Sequence, residues 1–162
     1  MTYRYEKILT NPVFVSTIRK IEEMEKDRFY CRHGMEQLIS VALISYIISL
    51  EEQAGLSKDI IYAAALLHDI GRAAEYETGS PHNSSGAETA KDIMYECGYS
   101  EEEITVVTDS IRSHGHENRK TEGTSLEKIL CRADKLSRTC FKCRAYESCN
   151  WTDERKNNTL VY

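Results

Sequence analysis

A chain of 162 residues with two prolines, eight glycines and a net charge of −5 is sized for a single domain with a real core. The charge argues against a nucleic-acid-binding surface and says little about small anionic substrates. No stretch is long and apolar enough to span a bilayer, since Leu38 to Leu50 is too short and contains Ser40, Ser45 and Ser49. The N-terminus has no signal-peptide pattern, so a cytoplasmic location without a membrane partner is expected.

Apolar residues recur mostly at helical spacing, which favours an all-α fold. Asn11-Pro12 reads as an N-cap followed by proline at the first helical position. The helix it starts would turn Val15, Ile18, Ile21 and Met24 inward and leave Arg19, Lys20, Glu22 and Glu23 wet. Tyr30-Cys31-Arg32-His33 leads into a second, strongly apolar helix over roughly 34–54. His33 stands at its entrance, Gly55 closes it, and Ser57 caps the helix that follows.

That next stretch, Ile60 to Arg72, is the most informative in the chain. Eight apolar or small residues, Ile60 to Leu67, run into His68-Asp69-Ile70-Gly71, which predicts a helix buried on all sides. His68 and Asp69 then start out inside the protein, where an unpaired charge is costly. Such a pair either shares a metal ion or is satisfied by backbone and other polar groups. Gly71 is expected to break the helix, and residues 72–79 to form an exposed polar connection.

Ser80-Pro81-His82 opens another helix, which carries Ala87, Ala90, Ile93 and Met94 inward and ends at Gly98. Ser100 and Glu103 form a capping box. Behind it Ile104, Val107, Ile111 and His114 follow at i, i+3, i+7 and i+10, placing His114 on the core-facing stripe; His116 lies off it. A second capping box, Thr124 with Glu127, starts a helix whose inner face is Leu126, Ile129, Leu130 and Ala133, with Asp134 on its flank.

His33, His68, Asp69, His82, His114 and Asp134 thus all stand at helix ends or on core-facing positions, where polar side chains are rare. A lone histidine on an apolar face is more often a satisfied core residue, but four beside two aspartates favour a metal site. Imidazole with carboxylate suits Zn, Mn, Fe or Ni, and six ligands could hold two ions.

The sequence resembles the HD superfamily of metal-dependent phosphohydrolases, whose pattern is a histidine, a His-Asp pair and a distant aspartate. LLHDIGR at Leu66 to Arg72 and KILCRADKLSR at Lys128 to Arg138 carry the likeness. The middle resembles the diadenosine-tetraphosphatase-like branch: His82 before Gly86-Ala87 is similar to its third histidine, and Ser110-Ile111-Arg112-Ser113-His114 to its fourth. The likeness covers roughly residues 30–138, and implies a helical HD bundle preceded by a packing helix (1–29) and followed by a Cys-rich extension (139–162). One position departs from the pattern. The family's first histidine commonly stands four residues before a Val-Ala pair, and Val41-Ala42 puts that position at Gln37. His33, one helical turn earlier, either takes over the ligand role or the site loses a ligand.

The resemblance implies hydrolysis of a small phosphorylated substrate, a nucleotide in particular, with one or two divalent ions supplying hydroxide near neutral pH and clamping phosphate oxygens. Asp69 is the expected bridge between two ions. Arg72 and Arg138 are the candidate phosphate-binding cations, although Arg138 could equally form an ordinary i, i+4 pair with Asp134. Glu75 could orient water. A non-catalytic nucleotide- or metal-binding module and a di-iron oxygenase are the alternatives. Separately, Cys140-x2-Cys143-x5-Cys149 beside Trp151 could contribute to a zinc or iron–sulfur site, with Cys131 or Cys97 as fourth ligand, or could simply pack the extension. Oligomeric state is not legible.

Overall fold

The computed structural model describes residues 3–114 and 125–162. Its described elements, in chain order, are helices α1 (Tyr5–Thr10), α2 (Pro12–Met24), α3 (Met35–Glu51), α4 (Lys58–Leu67), α5 (Arg72–Thr78), α6 (His82–Cys97), α7 (Glu101–Ser113) and α8 (Leu126–Leu136), followed by a 3-10 turn at Cys140–Lys142. The all-α expectation holds, with no strand among the described residues. None of these helices is long and apolar enough to cross a membrane. His116 and Thr124 lie outside the described residues.

Side-chain caps start α2, α4 and α7. The Asn11 side chain accepts from the backbone N–H groups of Val13 and Phe14, and Ser57 accepts from Ile60. Ser100 and Glu103 form both halves of the capping box. Gly98 adopts φ 86°, the left-handed conformation that lets α6 stop and turn directly into α7.

The core is organised around α4, which meets α1, α3, α6, α7 and α8. Ala63, Ala64 and Ala65 are wholly buried, and their small side chains let neighbouring helices approach from every side. Arg4 ties the outer ends together: its guanidinium pairs with both oxygens of Glu103 at 2.6 Å and donates to Asp59 at 2.7 Å.

Two expectations are corrected. Residues 72–79 are not a loop, because Arg72–Thr78 forms α5, which packs on α2 and α6 with Ala73 buried. Gly71 itself stays right-handed (φ −72°, ψ −8°), so the chain makes one turn and resumes helix. In α2 the buried positions are Phe14, Ile18 and Ile21, while Met24 is exposed. The stripe continues at i, i+4, i+7 and i+11 to Glu25, which is only 2% exposed.

Candidate metal centre and active-site cavity

The His-Asp pair sits in the turn between α4 and α5, and a backbone contact fixes that turn. A Cβ built on Gly71 would lie 2.0 Å from the carbonyl oxygen of His82 and 2.5 Å from the amide nitrogen of Gly86. Only glycine allows this approach. The turn is thereby pressed onto the start of α6, which brings His82 to Asp69. His68, Asp69 and His114 are buried to 3% exposure or less.

Each ring nitrogen has an assignable role. His68 Nδ1 lies 2.8 Å from the carbonyl oxygen of Ala65, and His114 Nδ1 lies 2.6 Å from that of Ile111. A carbonyl can only accept, so each Nδ1 carries a proton and donates. His82 Nδ1 is 3.0 Å from Glu75, and His33 Nδ1 is 2.6 Å from Glu25. The Nε2 atoms of His68, His114 and His82 stand 3.1, 3.6 and 4.0 Å from the Asp69 carboxylate. Those of His68 and His114 are buried without a hydrogen-bond partner. Imidazole lone pairs facing a carboxylate repel one another unless a cation lies between them. Histidines held through Nδ1 by carbonyl or carboxylate, with Nε2 converging, are the arrangement metal ligands adopt. The donor set therefore fits a divalent ion.

The candidate ligand atoms fall into two groups, each within 4.8 Å of one another: His68, Asp69 and Asp134, and Asp69, His82 and His114. Asp69 belongs to both. Its Oδ2 faces His68, and its Oδ1 faces His82 and His114 while accepting from Arg72 Nε at 3.0 Å. Asp134 is oriented by Gln37 Nε2 at 2.9 Å and by Arg138 Nη2 at 3.3 Å. His33 is in neither group, but it borders the same cavity as Asp134, Arg72 and Arg138.

Charge balance in this pocket moves its titrations. Burial opposes ionisation of Asp69, but the imidazoles around it, His68 first, hold its carboxyl well below the usual range. Asp134 is likewise brought down to about 2: burial works against this, and His68 and Arg138 overcome it. Burial disfavours the imidazolium of His68, yet Asp69 and Asp134 push its pKa up to about 10. Without a metal, a proton on His68 supplies the missing positive charge. His82 moves the other way, lowered by burial despite Glu75, and so is neutral at pH 7.

Of the candidate ligands, His33 and Asp134 line a cavity of about 500 Å³ together with Arg28, Arg72 and Arg138. The C-terminal segment, Ser148 to Trp151, lines it as well. Three guanidinium groups around one carboxylate-and-imidazole floor suit an anionic group that also reaches the floor.

Some of this was unread in the sequence. Glu25 holds His33 by both its ring and its backbone N–H, at 2.6 Å each, and accepts from the Tyr76 hydroxyl. The signal was its place on the apolar stripe of α2. Glu75 is not a free loop carboxylate: it grips Arg72 at 2.8 Å with one oxygen and His82 at 3.0 Å with the other. Its i, i+3 relation to Arg72 becomes informative only once residues 72–78 are known to be helical.

Comparison with known proteins agrees with this geometry. The HD domain family matches residues 35–139. A Clostridium beijerinckii protein described only as uncharacterized is 40% identical over 98% of this chain and 99% of its own length. Ribonuclease Y of Mycoplasma capricolum is 31% identical over 78% of this chain, which spans only 23% of that protein. Among solved structures, a predicted HD superfamily hydrolase from an uncultured Thermotogales bacterium superposes with a TM-score of 0.62 at 28% identity, covering 90% of this chain and 82% of that one. With a His-Asp turn, a distant Asp134 and convergent imidazoles on this scaffold, the chain belongs to the HD domain family.

Proposed function

We propose that the protein is a metal-dependent phosphohydrolase acting on a nucleotide or another small phosphate ester or anhydride. What carries this reading is the pair of buried, partnerless Nε2 atoms of His68 and His114 facing Asp69, next to Arg72 and Asp134, which line a cavity together with Arg28 and Arg138. A divalent ion such as Fe, Mn, Ni or Zn would lower the pKa of a water toward neutrality. His68, Asp69, Asp134, His82 and His114 would hold one or two ions, with His33 as a further ligand. The remaining chemistry falls to the chain's own side chains. Arg72 remains charged, since Asp69 and Glu75 outweigh its burial, and with Arg138 it would hold phosphate oxygens at the cavity floor. Gln37 and Arg138 fix the Asp134 carboxylate, and Glu75 fixes His82.

The third and fourth histidines, at 82 and 114, support placing the chain in the diadenosine-tetraphosphatase-like branch, and so support a nucleotide substrate. Ribonuclease Y is named for action on RNA, and here the net charge of −5 favours a small substrate instead. Gln37, where the family commonly has histidine, supports one rival: a module that binds nucleotide without turning it over. Metal analysis followed by a phosphate-release screen over mononucleotides, dinucleoside polyphosphates and a short RNA distinguishes these. Release that chelation abolishes is expected. Tight nucleotide binding with no release under any of the four metals would replace the enzyme with the binding module.

A further inference from the structure

Three thiols lie in the C-terminal segment as Cys140-x2-Cys143-x5-Cys149, and a fourth reaches them from a distant part of the chain. It is Cys31, from the loop ahead of α3, not Cys97 or Cys131. Cys31, Cys140 and Cys143 line one cavity of about 310 Å³, and Cys31 and Cys149 line the cavity of about 500 Å³ that Arg72 and Asp134 border. Tyr30 and Arg138 belong to both walls, so the two spaces adjoin. Cys31 also lies near enough for charge on the other three to act on it. Neither Cys97 nor Cys131 lines these walls.

The same two stretches of backbone are laced together. Arg138 Nη1 donates to the carbonyl of Arg32 at 2.8 Å, Arg144 to that of Arg28 at 3.3 Å, and the Tyr30 hydroxyl to that of Ser148 at 3.4 Å. Yet residues 139–162 bury only two apolar side chains, Cys140 and Ala145. Ordering some two dozen residues costs backbone entropy at every one of them, and two small buried side chains return little of that. Segments this poor in core are ordinarily held by a covalent or metal staple.

We propose that Cys31, Cys140, Cys143 and Cys149 bind a metal centre through four thiolates, and that this centre clasps the C-terminal segment across the active-site cavity. Each thiol gives up its proton as the metal binds. No three of the sulfurs lie within 4.8 Å of one another. A single tetrahedral zinc, with bonds of about 2.3 Å, draws its sulfurs to roughly 3.8 Å apart. The wider spacing around an open cavity favours a larger core of iron and inorganic sulfide, an iron–sulfur cluster, over lone zinc. Only the cavity's role as an active site rests on the phosphohydrolase reading; the thiolate centre does not.

The full chain, purified without oxygen and reconstituted with equal amounts of ferrous and ferric iron and with sulfide, should carry about four iron and four sulfide per chain with visible thiolate-to-iron absorption. Cys31→Ser and Cys149→Ser should each lose that absorption, and His68→Ala should keep it, because no thiol serves the His-Asp site. About one zinc per chain, lost in the same two cysteine variants, upholds the thiolate centre with zinc as its metal. Alkylation provides a readout that needs no variant. Cys31, Cys143 and Cys149 are partly exposed, so in the loaded wild type they should resist iodoacetamide until a chelator is added. Prompt alkylation of all three in loaded protein, or metal and absorption unchanged in Cys31→Ser, overturns the proposal.

Discussion

Asp69 is the single side chain that both groups of candidate ligands share. Replacing it with Ala should abolish bound metal and lower phosphate release by at least about 1,000-fold, the scale on which losing a bridging carboxylate and its ion is expected to act. Metal content equal to wild type in Asp69→Ala would remove that residue from the centre. Glu25 acts one step further out, fixing His33 through Nδ1 and the backbone N–H. If His33 serves as a ligand in place of the family histidine missing at Gln37, Glu25→Gln should weaken metal affinity or activity about 10- to 100-fold, the usual cost of disturbing a ligand's supporting carboxylate. His33→Ala should lower occupancy at least as much. Unchanged occupancy in both variants, measured by metal titration, would make the Glu25–His33 pair purely structural.

At the scale of elements, the expected helices formed where caps and apolar stripes agreed. Ser57, Ser100 and Asn11 each accept from the backbone as read, and the Ala-rich α4 is enclosed on all sides. The break at Gly71 formed as read, with α4 ending at Leu67, but reading failed just past it, where Arg72–Thr78 is α5 and not a loop. Gly71 also serves close approach, which sequence alone does not reveal because the contact partner, Gly86, is fifteen residues away. Gly71→Ala tests this directly. Its Cβ would meet three backbone atoms, at 2.0, 2.5 and 2.9 Å, and none can yield like a side-chain tip. The variant should lose at least about 1–3 kcal/mol of stability by overpacking, seen as a lower urea midpoint, and should also lose metal because His82 is displaced. An unaltered midpoint would mean that the turn and α6 are not in firm contact. The four-thiol cluster escaped reading for a related reason: Cys31 is over a hundred residues from Cys140, and nothing local marks it as their partner.

For the whole molecule, the buried charges set how stability and metal binding depend on pH. His68 in the metal-free protein has a pKa near 10, against about 6.5 when unfolded. Its folded-state value is raised, so its contribution is fully present below pH 6.5 and is lost as pH rises toward 10. Asp69 and Asp134 are lowered, so their contribution is present above about pH 4 and fades as pH falls below it. His82 is lowered too, and the unfolded chain takes up its proton more readily, which costs stability below about 6.5. These terms together place the stability optimum of the metal-free chain close to pH 6.5, with a decline on the alkaline side. A divalent ion reverses that decline, because it takes the position of the His68 proton. Binding must release this proton, so apparent metal affinity should rise about tenfold per pH unit below 10. Because a ligand stabilises in proportion to the logarithm of its concentration over Kd, the rise in Tm produced by a fixed concentration of Mn2+ should grow steadily from pH 6 to pH 8. A Mn2+-induced shift that stays flat over that range would mean that His68 carries no proton in the metal-free protein, and that its Nε2 lone pair stands open to the ion at every pH.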